Sequence, residues 1–198
     1  MSLRATLRRL LGGDGLPEGF GGRLEADERV LAVAHTADGT HLVVTSWGLW
    51  LPEPDTADGP RRVGWHLVSR AVWRNGALAV VEAVEEEIPA EEGAAGEGTA
   101  GEGSAGDGPP AVLLTDRPAR RFRLVEPAGV PEAVHARVEA SIRSRHHRDL
   151  PGGGAWFVQR KVPGRDGTVL QVRPDAGTDR AVVVQVVADV ARTLGRAR

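Results

Sequence analysis

The chain is 198 residues long, 41% apolar and without cysteine, and carries a net charge of −2. That apolar share is enough to build a core, so the chain as a whole does not read as disordered. The absence of cysteine excludes disulfides, thiolate zinc sites, iron–sulfur clusters and a cysteine nucleophile together.

Lys161 is the sole lysine, tyrosine is absent, and Gly, Ala, Val and Pro abound. A GC-rich genome produces that bias without functional pressure, so an arginine cluster here is weak evidence for nucleic acid. Charge is distributed unevenly. Residues 85–110 hold eight acids (Glu85, Glu86, Glu87, Glu91, Glu92, Glu97, Glu102, Asp107) and no base; taking these eight negative charges from −2 leaves +6 for the rest. The remainder is mildly basic and carries its own acidic strand, which can screen it.

Residues 2–11 read as a short amphipathic helix, with Leu3, Leu7, Leu10 and Leu11 opposite Arg4, Arg8 and Arg9. The arginines interrupt any apolar stretch, so this is not a signal peptide. No run approaches the about 18 apolar residues of a membrane span. The expected location is the cytoplasm. Gly12 and Gly13 stop the helix, and a Gly-rich loop follows to Gly22.

Strands begin at Arg29. The runs Arg29–Thr36 and His41–Trp47 around Asp38-Gly39 form a hairpin signal, and Gly48–Leu51 and Arg61–Trp65 give two further short strands. Leu67–Trp73 and Ala77–Val84 make a second hairpin around Asn75-Gly76, whose two central residues both accept positive φ. Residues 86–110 are of low complexity, and within them 95–99, 100–104 and 105–109 repeat a unit of Ala-Gly-acid-Gly plus one small or turn residue, with no aromatic or branched apolar side chain in the repeat. They read as a disordered acidic insert with a mean span of roughly 25–30 Å.

Order resumes at Ala111–Thr115, a turn at Asp116–Pro118, and Arg120–Val125. Pro131 at a first-turn position and the four-residue spacing of Val130, Val134, Val138 and Ile142 predict a helix. Arg143, Arg145, His146, His147 and Arg148 crowd its C-terminal end, where cations favour the macrodipole, and Leu150-Pro151-Gly152 terminates it. Ala155–Val162 and Thr168–Arg173 make a third hairpin. The last segment, Asp179–Leu194, reads as a helix from Val183, Val187, Val190 and Leu194, with Thr178 as its N-cap, although Ala181–Val187 is also a β-branched run of strand length.

Within this order, His41-Leu-Val-Val-Thr-Ser-Trp-Gly-Leu-Trp50 resembles the second and third strands of bacterial PH-like (GRAM-like) domains. Arg62-Val-Gly-Trp-His-Leu-Val-Ser69 resembles the family's next element. Phe122-Arg-Leu124, with the helix from Val130, resembles its final strand and capping helix. The whole chain is also similar to uncharacterised actinobacterial proteins built this way. The resemblance covers about residues 24–148, contains no catalytic motif, and is broken by the acidic insert. It implies a small sheet closed by a helix and used for binding rather than catalysis.

The expected fold is therefore α+β: an antiparallel PH-like sheet or partial barrel capped by a helix, with a C-terminal β-hairpin and helix. The expected divisions are 1–22 (basic helix and loop), 23–148 (PH-like domain interrupted by the insert at 86–110) and 149–198 (hairpin and helix packed on the core). A rival arrangement makes residues 111–148 and 154–194 the halves of a separate ββαββα domain.

Candidate chemistry is sparse. His135 and His146, on one helix, would lie about 16 Å apart, too far to share an ion. The glycine clusters lack the Lys-Ser/Thr of a phosphate cradle, and no serine sits in a GxSxG elbow. No catalytic residue, cofactor or metal ligand is expected. The candidate partner-binding residues are Trp47, Trp50, Arg120, Arg121 and Arg145: aromatic anchors and basic groups near strand or helix ends. The expected function is a non-enzymatic binding or interaction module, with a protein as partner and an anionic ligand as the weaker choice. The alternatives are a peripheral membrane protein using Leu3–Leu11 and the arginines, and an enzyme built from residues distant in sequence.

Overall fold

The structure is a computed structural model and describes residues 15–53, 59–87 and 111–196. The expected helix at 2–11 and residues 88–110 of the expected insert lie outside the described residues, while Glu86 and Glu87, expected to belong to that disordered insert, end a strand. The fold is α+β, mostly sheet with two α-helices among the described residues. No described helix is long and apolar enough to cross a membrane.

The chain divides into two compact units. The first holds 1–83, 116–141 and 162–165; the second holds 84–115, 142–161 and 166–198. The expected break at 148/149 thus falls inside a strand of the second unit. The rival ββαββα arrangement does not form, because residues 116–141 belong to the first unit and the two strands meant as its first hairpin do not pair with each other.

In the first unit, β1 (Val30–His35), β2 (His41–Thr45), β3 (Gly48–Leu51) and β4 (Arg61–Gly64) form an antiparallel sheet in chain order. A single 3₁₀ turn, Trp65–Leu67, leads into β5 (Val68–Arg74), which pairs with β6 (Ala77–Glu87). At the turn between them Asn75 has φ 51° and Gly76 φ 71°, the pair of positive angles a two-residue hairpin needs to follow the strand twist. β6 runs three residues beyond the expected end at Val84, and its last residues, from Val84 on, belong to the second unit, where Gln171 Nε2 donates to Glu85 at 3.2 Å and Arg180 to Glu86 at 2.5 Å. Of the remaining strands, β7 (Ala111–Asp116) pairs in the second unit, while β8 (Arg120–Arg123) lies along β6.

Helix α1 (Val130–Ser141) packs on β1, β2 and β5. Its Val130 and Val134 join Leu42, Val44, Leu49, Trp65, Leu78 and Phe122 in the core of this unit. Each such fully buried side chain contributes about 1.5–3 kcal/mol through removal from water, which is what holds a helix of only 12 residues in place.

The main departure from the sequence reading is here. The helix stops at Ser141, and Ile142–Leu150 is a strand, β9. Ser141 Oγ donates to the Val138 carbonyl at 2.6 Å, offering the last turn a local bond in place of continued helix. From Ile142 the period changes from four to two. Pro151-Gly152, expected to end a helix, is instead the hairpin turn to β10 (Gly153–Arg160), with Leu150 opposite Gly153 and Gly152 at φ 82°.

The second unit is a sheet in the order β7-β11-β10-β9, where β11 is Val169–Pro174. β10 is antiparallel to both neighbours, and β11 runs parallel to β7. The final segment is helical, α2 (Arg180–Arg196). Its cap differs from the expected one: the Ala181 amide donates to Asp179 Oδ1 at 2.8 Å, whereas Thr178 Oγ1 bonds the backbone of Gly154. Val183 and Val187 bury against Leu113, Ala155, Phe157, Leu170 and Val172 to form the unit's own core. The β-branched run at 181–187 becomes helix because its four-residue spacing gives one apolar face to that sheet.

Candidate functional site

Three arginines of the first unit, Arg61, Arg62 and Arg120, are engaged in holding the fold. Arg61 makes a two-pronged bond to Glu82, 2.7 Å on each arm. Arg62 pairs with Glu28 and stands over the rings of Trp47 and Trp50, 5.4 and 5.6 Å from their centroids. The Glu28 side chain is wholly buried. It accepts from Thr45 Oγ1 at 2.5 Å, Trp50 Nε1 at 2.9 Å and the Glu25 amide at 3.1 Å. Burial pushes its carboxyl up, but the bonds from Thr45, Trp50 and Glu25 and the charge of Arg62 outweigh that and hold it below its ordinary value.

This network fixes the fate of the candidate tryptophans. Trp50 is only 7% exposed, with Phe20 edge-on at 5.4 Å, so the structure places it in the interior rather than at a contact surface. Trp47 is half-buried, and a Cβ at Gly164 would sit 2.7 Å from its ring, so only glycine fits there. Arg120 is also committed: it bonds Glu53 at 2.5 Å and the Pro52 carbonyl at 2.6 Å, with its guanidinium 5.2 Å from the Phe122 ring. Arg121 is exposed on β8. Arg145 is exposed on β9, in the other unit from the first four.

β9 is where unspent charge gathers. Its sequence is Ile-Arg-Ser-Arg-His-His-Arg-Asp-Leu, and Arg143, Arg145, His146, Arg148 and Asp149 are exposed. Among the described residues no ion pair engages Arg143, Arg145 or Arg148. Cross-strand register puts His147 opposite Trp156 and His146 opposite Phe157, so alternate β9 side chains line opposite faces of the sheet.

On one face are Arg145 and His147. His147 bonds Asp175 Oδ2 at 2.7 Å and lies against Trp156, with ring centroids 5.0 Å apart; Trp156 is 43% exposed. On the other face, which α2 covers in part, a cleft of about 460 Å³ has a floor of Phe157, Leu170 and Val190. Ser144, His146, Arg148 and Gln159 edge it, and Ser144 Oγ donates to Gln159 Oε1 at 3.0 Å. An apolar floor with a few convergent polar groups is the usual make-up of a ligand pocket.

Sequence reasoning singled out Arg145 alone in this region. It missed Trp156 and the cleft, and in the first unit it missed Trp73, 38% exposed on β5. The signal that marks β9 is the two-residue alternation of Arg145 and His147 against Ser144, His146 and Arg148. The histidines His35 and His41 meet edge-on at 4.5 Å across the first hairpin, and burial, then the neighbouring His35, lowers the pKa of His41. Among the described residues no three His, Cys, Asp or Glu side chains stand close enough to hold a metal ion. No protein-family model, curated protein or solved structure matches the chain.

Proposed function

We propose that the chain is a binding module that acts without catalysis, its first unit a PH-like scaffold and its second unit carrying the contact surface for an anionic region of a partner protein. The observation that carries this reading is β9: three arginines, none in an ion pair among the described residues, beside a half-exposed tryptophan and an apolar-floored cleft. Arginines in the first unit that neutralise acids, such as Arg61, Arg62 and Arg120, have little left for a partner. Those on β9 keep their donors for one, and arginine is suited to two-pronged bonding with carboxylates. The chemistry at the cleft points to binding as well: Ser144 donates to an amide oxygen rather than to a base that would activate it. The antiparallel strands and capping α1 of the first unit support the PH-like reading of residues 24–141.

The test compares affinity purifications from the native host using wild-type protein, the Arg145→Glu/Arg148→Glu variant and Arg121→Glu. Proteins retained by the wild type and by Arg121→Glu should be lost from the double variant, whose circular dichroism and melting should match wild type. Retention of the same proteins by the double variant would sink the proposal.

A further inference from the structure

We infer that the outer edge of β9 takes up an extended acidic peptide as an additional strand, with alternate side chains of that peptide lying over the cleft. This rests on the proposed binding surface and names how it is used. β9 is the last strand in the order β7-β11-β10-β9, so one of its edges has no strand partner among the described residues. In an antiparallel ladder alternate residues turn their N–H and C=O groups away from the neighbour. Pairing with β10 is regular from Ser144 to Leu150, and the single register shift leaves Arg143 unpaired, since Ser144 pairs with Gln159 and Ile142 with Arg160. From Ser144 to Leu150 the free edge is therefore straight enough to template another strand.

Such an edge is a liability unless something discourages self-pairing. Here the discouragement is charge. Arg143, Arg145 and Arg148 repel the same edge of a second copy, and only Asp149 opposes them. The same charges attract a strand of opposite sign, which is the argument for an acidic occupant. Sheet geometry supplies the rest. A strand added beside β9 lies about 4.8 Å from it, and every second side chain faces the α2 side of the sheet. On that side the floor is Phe157, Leu170 and Val190, so the expected pattern alternates apolar residues facing the floor with acids facing Arg145. A nucleic acid could use the arginines but has no amide ladder to complete the edge, and Trp156, on the face of Arg145, is a single stacking platform.

The experiment is fluorescence anisotropy of the full chain with a labelled peptide as long as β9, alternating Glu and Val, capped at both ends. Two further peptides carry N-methyl groups on the odd or on the even residues. In an added strand only one set of amides faces β9. One methylation pattern should therefore weaken binding at least about tenfold and the other should leave it nearly unchanged. Arg143→Ala/Arg145→Ala/Arg148→Ala should abolish binding while melting as wild type does. Equal effects of the two methylation patterns would overturn strand addition and leave the charged surface standing. Wild-type binding by the triple variant would overturn both. Tighter binding of a single-stranded RNA that displaces the peptide would replace this inference with a nucleic-acid one.

Discussion

Replacing Glu28 tests whether the first unit is organised around one buried carboxylate. Glu28→Ala leaves the Trp50 Nε1–H without its partner in the interior, which costs about 1–3 kcal/mol. It also leaves Arg62 without its counter-charge. Losing one member of a buried pair costs about 3–5 kcal/mol, of which water recovers part here because the Arg62 side chain is 26% exposed. Thr45 loses less, since its hydroxyl also lies 3.0 Å from the Gly48 carbonyl. The expected total for Ala is about 3–5 kcal/mol, a large fraction of the about 5–15 kcal/mol that holds a domain together. Glu28→Gln keeps the shape and one acceptor but loses the charge, and should cost about 1.5–3 kcal/mol. Urea unfolding followed by tryptophan fluorescence reads both, provided the slope with denaturant is unchanged. The pH dependence adds a second readout. The Glu28 carboxyl is held below its ordinary 4.5, so its contribution is complete above that value and is lost as pH falls through the lowered folded one. Wild type should lose this stability in that acid window, and Glu28→Gln should not. A Gln variant within about 0.5 kcal/mol of wild type, with the same pH profile, would refute the account.

Leu170→Ala empties a site that is 2% exposed in the core of the second unit and should cost about 2–5 kcal/mol in the same urea assay. Replacing residues 89–109 by a short Gly-Ser link removes no core former; the melting temperature should stay within a few degrees by calorimetry. That replacement also removes five acids (Glu91, Glu92, Glu97, Glu102 and Asp107), so retention on heparin should rise at low salt and the gain should shrink at high salt.

What the sequence determined by itself was the local structure whose cause is local. The hairpins at Asp38-Gly39, Asn75-Gly76 and Gly164–Gly167 were legible because turn chemistry and β-rich flanks act over a few residues. The helix beginning at Val130 and the helical choice for the last segment were legible because each has one apolar face at helical spacing. Tertiary structure decided β9. Ile142 continues the four-residue spacing of Val130, Val134 and Val138, and the cations after it suit a helix end. The strand exists because Pro151-Gly152 turns the chain back and β10 supplies a full ladder. The candidate site followed the same division. Exposure is a property of packing, so Trp50 went inside to bond Glu28, 22 residues away, and Arg120 was drawn to Glu53, 67 residues away. Trp156 stayed out because its face of β10 is the one opposite α2. Only pairing and burial across such distances could separate the arginines that hold the fold from those left free to meet a partner.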